Sequence, residues 1–451
     1  MTLYPVYTAK ASTIKSLKTI LIGLSVSALL SACATTSGSQ RPIAQRPQQN
    51  TQIPVQIPND RPNQTQPEEI KPEELVNYKS GITPPFMDAK NIQRVALILP
   101  FSAKSARLRA EADSMLKAAE LALFAREDDS VLLIALDSAG TSAGARKAAR
   151  SAVKQGADII LGPILAGSVK ASSDIARKSN TPMLAFSTDT KVAGNGVYLL
   201  SFPPEAEVKR VVQYVAGSGA RKFAFLGPDS TYGQRVLSAY KKSVASIDGM
   251  MNGVQTYTGK DITVMQEPAR RLAKIYTDTL AANEAAGKPI TEAAFHVVML
   301  PEGGTALRSL APLLPFFEEN INPGNVQYVG TGLWNREEVV REPAIRGGIF
   351  AGPDMAGKNA FSANYDAVYG VEPSRLASLA YDAVNIAAFV ADGDLKNRQK
   401  RLTDPAGFFG VDGLVRFDRS GTPERGLAVY QIKNGRFVII DPAPKTSNGA
   451  F

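Results

Sequence analysis

Short apolar runs separated by helix-length segments constrain this chain more than any other feature. The runs at 95–99 (VALIL), 132–136, 158–161 and 183–186 are strand-sized and apolar almost throughout. Between them stand segments with helical spacing. The first, 108–126, carries Met115, Ala118, Ala119, Ala122 and Leu123 on one face; 143–155 is closed by Gly156, and 169–179 follows. Strands that alternate with helices of ten or more residues specify a parallel sheet with helices on its faces. Continuous rather than alternating hydrophobicity is what a strand covered on both faces requires. The rhythm then restarts, with helices at 205–216, 235–244, 264–286 and 305–317 and strands at 223–226, 294–300 and 327–329. A long alanine-rich helix is expected at 373–391. Hairpin chemistry closes the body: runs at 413–417, 428–432 and 437–440 flank a turn at Arg419-Ser420-Gly421 and another at Asn434-Gly435. Asn-Gly between apolar runs is a strong hairpin signal. The expected class is α/β, with two doubly wound parallel-sheet lobes.

The other end of the chain carries an address. Residues 20–30 (ILIGLSVSALL) are an apolar run, preceded by Lys10, Lys15 and Lys18 and by no acidic residue. A basic start, a short apolar core and small residues at the cut make a secretory signal, and the run falls short of the roughly 20 residues that span a bilayer. Leu30-Ser31-Ala32-Cys33 contains the single cysteine of the 451-residue chain. It resembles the bacterial lipobox, which implies lipidation of Cys33 as the new N-terminus and anchorage in a membrane. An ordinary signal peptide with a chance cysteine is the alternative.

Composition changes after Cys33. From 39 to 66 the chain holds Pro42, Pro47, Pro54, Pro58 and Pro62 among many Gln and Asn, with apolar residues isolated. Such a segment buries too little to offset its ordering entropy, and proline biases it to extended shapes. A disordered spacer is expected over 33–90, with a short helix after Pro72; a merely tolerated tail is the alternative. The formal charge is +9, and loss of Lys10, Lys15 and Lys18 with the leader leaves +6. No dense basic tract is interleaved with aromatics, which argues against nucleic acid as a partner.

Enzyme chemistry lacks its parts. His296 is the sole histidine and lies in an apolar strand, as a core or lobe-interface residue would. With one His and no free Cys, zinc sites and Cys/His or Ser/His catalysis are incomplete. No phosphate-binding Gly-x-x-x-x-Gly-Lys-Ser/Thr occurs, and the pairs Gly140/Gly144 and Gly330/Gly332 fit ordinary turns. Neither a metal nor another cofactor is expected.

VALILPF at the start, IILGP with SSDIA behind it, FLGPDSTYGQ, ANYDAVYGVEPSRLASLAYDAV and GVDGLVRFDRSGTPERGLAVYQIKNGRF occur in this order. Together they resemble the type I periplasmic binding proteins of the Leu/Ile/Val-binding branch. The resemblance implies two lobes joined by three crossings. Residues 91–202 and 356–411 would form one lobe and 203–355 and 412–441 the other, after a signal peptide at 1–32 and before a tail at 442–451. Ligands of open α/β sheets bind beyond the carboxyl ends of the strands. The implied cleft candidates are Phe101, Ser102, Gly162, Ser168, Ser187, Thr188, Asp229, Tyr232, Glu302, Thr331 and Trp334, each of which could equally cap a helix or pack beneath the cleft. In the family a serine binds the ligand carboxylate where this chain has Ala166, with Ser168 two places on. The Ser187-Thr188 loop and Tyr232 are kept. The acid expected after 327–329 is replaced by Thr331-Gly332-Leu333-Trp334, and no aromatic matches near Leu108.

Those departures, the lipobox, the spacer and the Gly162-Pro163-Ile164-Leu165 loop are similar to lipoproteins that activate penicillin-binding proteins. The expectation is accordingly a non-enzymatic envelope lipoprotein acting on a cell-wall synthase. Ala34 behind Cys33 points to the outer membrane. The alternative is the substrate-binding component of an ABC transporter for branched-chain or other amino acids, with a permease as partner. A cleft sensor that couples ligand closure to a partner-binding surface is a third possibility.

Overall fold

The computed structural model describes residues 77–78, 81–82, 92–126, 130–289, 292–391 and 393–446. Cys33, the expected leader and most of the expected spacer lie outside them. Inside the spacer range, β1 (Asn77–Tyr78) pairs antiparallel with β2 (Gly81–Ile82). The helix expected after Pro72 therefore does not extend to Tyr78.

The first lobe opens with β3 (Gln93–Leu99), α1 (Ala106–Ala125), β4 (Val131–Asp137), α2 (Ser142–Lys154), β5 (Ile159–Leu161), α3 (Ala166–Lys178), β6 (Met183–Ala185) and β7 (Val197–Leu199). Its sheet runs β4-β3-β5-β6-β7, parallel throughout. On β3, Val95, Leu97 and Leu99 face the α1 side while Ala96 and Ile98 face α2 and α3. Burial on both faces is why these strands read as unbroken apolar runs. Each fully buried Leu, Ile or Val contributes about 1.5–3 kcal/mol.

The chain then crosses to the second lobe: α4 (Pro204–Gly217), β8 (Lys222–Pro228), α5 (Thr231–Ala245), β9 (Met250–Tyr257), α6 (Ile262–Ala285), β10 (Val297–Met299), α7 (Gly304–Leu310), α8 (Leu313–Phe317), β11 (Gln327–Gly330), α9 (Glu337–Val340) and β12 (Ile349–Gly352). It returns to the first lobe with α10 (Met355–Tyr369), α11 (Ala377–Val390), α12 (Leu395–Leu402), β13 (Phe408–Gly410), β14 (Gly413–Phe417) and β15 (Pro423–Arg425). Last come β16 (Ala428–Lys433) and β17 (Arg436–Asp441), which complete the seven-stranded order β17-β16-β12-β11-β10-β8-β9. β16 and β17 are antiparallel; the remaining strands of that sheet run parallel.

Several elements differ from expectation for local reasons. β9 (MMNGVQTY) is an edge strand, half exposed and interrupted by Asn252 and Gly253, so it lacks an apolar signal. Helix α10 buries only Phe361 and Tyr365. The helix expected at 373–391 starts at Ala377. The turn at 419–421 joins β14 to β15, not to β16, because β16 belongs to the other lobe. Val415 and Phe417 pack in the first lobe's core, and the Gly421 carbonyl accepts from the Leu199 N–H at 2.9 Å. Residues 412–421, expected in the second lobe, thus stand on the first, and the third crossing falls after Arg425. Asn434 and Gly435 both have positive φ, 52° and 69°, the hairpin geometry that Asn-Gly favours.

Helix α11 is the pillar of the first lobe, buried almost all round between α1 and the sheet. Such a helix needs no polar face. After it, α12 is pinned to the amino ends of the strands by Arg398, which donates to Asp158 Oδ1 at 2.6 Å with side chains 13% and 5% exposed. Asp158 also accepts from the Arg94 N–H at 2.9 Å, so loss of Arg398 leaves its charge partly satisfied. Arg398→Ala should cost about 1–3 kcal/mol of unfolding free energy, read as a lower urea midpoint; a change within error would place this pair's contribution near that of a surface ion pair.

Candidate functional site

The candidate residues gather at the carboxyl ends of the two sheets because every strand end opens into a loop there. In the first lobe, Ser102 follows β3. Its N–H donates to Asp137 Oδ1 at 3.2 Å, and its hydroxyl makes a short hydrogen bond to the same carboxylate at the end of β4. Burial opposes ionisation of Asp137, yet hydrogen bonds from Ser102 and the Ala139 amide hold its carboxyl below the usual range. Phe101 packs on the lobe's core. Gly162 is buried at the end of β5, its N–H bonded to the Leu184 carbonyl at 2.8 Å. After β6, Ser187 is buried and accepts from the Asp189 N–H at 3.2 Å, while Thr188 is exposed.

Ser168 sits in the first turn of α3, 3% exposed, and its carbonyl accepts from the Ser172 hydroxyl at 2.7 Å.

The second lobe supplies the facing wall. Asp229 follows β8, exposed, and is held by Gln234. Tyr232, in the first turn of α5, shares a 2.7 Å hydrogen bond with the hydroxyl of the fully buried Thr331. Tyr257, at the end of β9, donates to Glu302 Oε1 at 3.0 Å. Burial pushes the Glu302 carboxyl up, partly offset by that hydrogen bond. Trp334 is a core residue and not a cleft residue. The turn Gly332–Trp334 folds its indole inward, fully buried, with Nε1 donating to the Leu300 carbonyl at 3.1 Å.

Three further side chains at these strand ends and lobe edges had no signal in the local sequence. Glu207, in the first turn of α4, is 9% exposed and accepts from the Gly332 N–H at 2.8 Å. A Cβ at residue 332 would lie 2.6 Å from Glu207 Oε1, so a larger residue there would push this carboxylate aside. So the position after β11 that lacks an acid of its own receives a carboxylate from 125 residues earlier. Burial pushes the Glu207 carboxyl up to about 7, against the pull of the Gly332 amide and the charge of Arg375. Arg375, on the loop before α11 of the opposite lobe, is exposed, and its charge also acts on the Tyr232 hydroxyl. Arg235 bridges the lobes directly. Glu205 grips it at 2.8 Å, and its Nη2 donates to the Thr188 carbonyl at 2.9 Å.

His296 lies at the other end of its sheet, at the amino end of β10, its amide bonded to the Lys222 carbonyl at 2.9 Å. Among the described residues no group of three or more His, Cys, Asp or Glu is placed to hold a metal ion, and no helix is long and apolar enough to cross a membrane.

The fold has counterparts. Residues 92–285 match the family model described as "Periplasmic binding protein". No curated protein matches the chain in sequence. Among solved structures, a putative branched-chain amino acid ABC transporter protein from Rhodospirillum rubrum is similar with a TM-score of 0.63 and 19% identity, over 77% of this chain and 100% of that one. An ABC transporter substrate-binding protein from Sphaerobacter thermophilus gives 0.58 and 17%, over 78% and 98%. One from Desulfitobacterium hafniense, in complex with Leu, gives 0.54 and 18%, over 77% and 99%. Likeness at this identity is likeness of fold, and the fold is the type I periplasmic binding protein fold.

The pKa of Glu207 carries a stability signature. Its ordinary value of 4.5 applies to the unfolded chain, and about 7 to the folded one. Between those values the native state holds a proton that the unfolded state has lost, so stability falls as pH rises through the window and levels off above it. Glu207→Gln keeps an acceptor for Gly332 and removes the effect. Relative to the parent, the variant should gain on the order of 3 kcal/mol at about pH 8 and little near pH 4. Thermal unfolding at both pH values checks this; a gain equal at the two would contradict it.

Proposed function

We propose that this protein is the solute-binding component of an ABC importer and that its ligand is an amino acid or a similarly small zwitterion. The observation that carries the reading is the Glu207 carboxylate on the Gly332 amide, an acid at the strand ends of the second lobe where the local sequence has none. An ammonium entering the cleft would find Glu207 and Glu302 behind Tyr232. A ligand carboxylate would find the Thr188 loop and the guanidinium of Arg375. An unpaired ammonium in a dry cleft costs several kcal/mol, so a site for zwitterions needs that acid. The Desulfitobacterium hafniense structure, of the same fold, holds Leu, and the Rhodospirillum rubrum protein is described as a branched-chain amino acid transporter. Both support the transport reading above the synthase activator expected from the lipobox and spacer. In this reading the chain is exported, Cys33 anchors it by lipid, the body binds and does not catalyse, and a permease is its partner.

Activation of a penicillin-binding protein from the outer membrane is the second reading. The observation in its favour is apolar surface on the first lobe, where Phe389 and Phe409 are 59% and 65% exposed, as a protein partner would require.

A thermal-shift screen of the full chain against amino acids, amides and muropeptide fragments separates the two. At a hundred times Kd a ligand stabilises by about 2.7 kcal/mol. An amino acid should give that shift, and Arg375→Ala should weaken binding at least roughly tenfold, the loss of about 1.4 kcal/mol expected for a charged hydrogen bond. No shift with any solute, together with retention of a penicillin-binding protein on the immobilised chain, would replace the first reading by the second.

A further inference from the structure

The positive charge of the first lobe is gathered on one helix pair. Helix α2 reads SAGARKAARSAVK, with no acidic residue. Ala145, Ala148, Ala149 and Ala152 are buried against the sheet. Helical spacing then forces Arg146, Lys147, Arg150 and Lys154 outward, and all four are exposed. Helix α3 packs alongside and exposes Lys170 and Lys178. None of these six side chains makes an ion pair or hydrogen bond among the described residues. The single acid of the pair, Asp174, is taken by Arg177 at 3.1 Å. Six unpaired cations on one face compare with a formal charge of +9 for the whole chain.

The position of this face in the fold matters. Lys154 ends α2 four residues before Asp158, whose N–H donates to the Arg94 carbonyl at 2.8 Å. The basic stripe therefore ends beside the start of β3. That is where the 91 preceding residues join the body, among them the apolar run at 20–30 and Cys33.

We propose that the α2–α3 face is a docking surface for an anionic phospholipid membrane. The charge is complementary. The chain enters the lobe at the end of the same helix, so a membrane-held N-terminus would bring that surface within reach of it. Each Lys or Arg near an anionic leaflet adds to the attraction, and the attraction decays within a Debye length of about 10 Å at 0.1 M salt. The six cations stand on the outer faces of α2 and α3 and none of them is among the cleft candidates.

Cosedimentation with lipid vesicles tests it. The full chain is mixed with vesicles of phosphatidylcholine and with vesicles in which part of that lipid is replaced by phosphatidylglycerol. Partition should rise with the anionic fraction and fall with added salt. The variant R146E/K147E/R150E/K154E should lose roughly tenfold or more of the anionic component, with its thermal unfolding unchanged. K241E/K242E, on α5 of the second lobe, should behave as the parent. The milder R146Q/R150Q should fall between, which keeps the test valid where the fourfold reversal fails to fold. Equal binding to neutral and anionic vesicles, or full anionic binding by the α2 variants, would overturn the proposal. Binding to heparin but not to anionic vesicles would also overturn it, in favour of a soluble polyanion.

Discussion

Both sheets are covered on both faces, and the rest of the molecule follows from that constraint. A strand buried on two sides has no room for polar side chains along its length, because an unpaired polar group there costs several kcal/mol. Polar chemistry is thereby driven to the strand ends. At the carboxyl ends it forms pairs that satisfy one another: Ser102 with Asp137 between adjacent strand ends, and Tyr257 with Glu302 and Tyr232 with Thr331 between segments whose strands are not neighbours. These pairs tie the strand-end loops to one another and to the strands behind them. A cleft built this way is preorganised, which reduces the ordering cost of binding.

The crossings between the lobes are tied as well. Arg425 ties two of them, donating from Nε to the Ser201 carbonyl at 2.9 Å while its guanidinium lies 4.2 Å from the Phe202 ring centroid. Burial lowers the pKa of Arg425, and the charges of Asp412 and Asp382 work against that. The tie holds the crossing strands together at the junction. Further out, the contact from Arg235 to Thr188 is a single hydrogen bond from a side chain already anchored by Glu205. A rigid junction and a light outer contact are what two lobes need if they are to open and close around a ligand.

What the sequence made legible divides along the same line. The parallel strands could be read because two-sided burial writes them as apolar runs, and the Asn434-Gly435 hairpin because its turn needs two positive φ angles. The strand-end loops could be read too, and Ser187, Thr188, Tyr232 and Thr331 do stand there. Trp334 misled because it follows a strand end, yet a one-turn helix carries it back into the core. Glu207 was illegible: an acid in a first helical turn is sufficiently explained by the helix dipole, and its partner is 125 residues away. Arg375 likewise has meaning only across the cleft. The lobe assignment of β14 was hidden because a strand's sheet partner is a tertiary choice that local pattern does not encode.

The claim at the centre of this account is that Glu207 equips the cleft for a small zwitterion. Native mass spectrometry of the protein, as purified and after incubation with each amino acid, tests it most directly. The account predicts a stoichiometric small-molecule adduct on the parent protein that Glu207→Ala loses and a second-lobe surface variant such as K241E/K242E keeps. The bare polypeptide mass under every condition, or an adduct indifferent to Glu207, would contradict it.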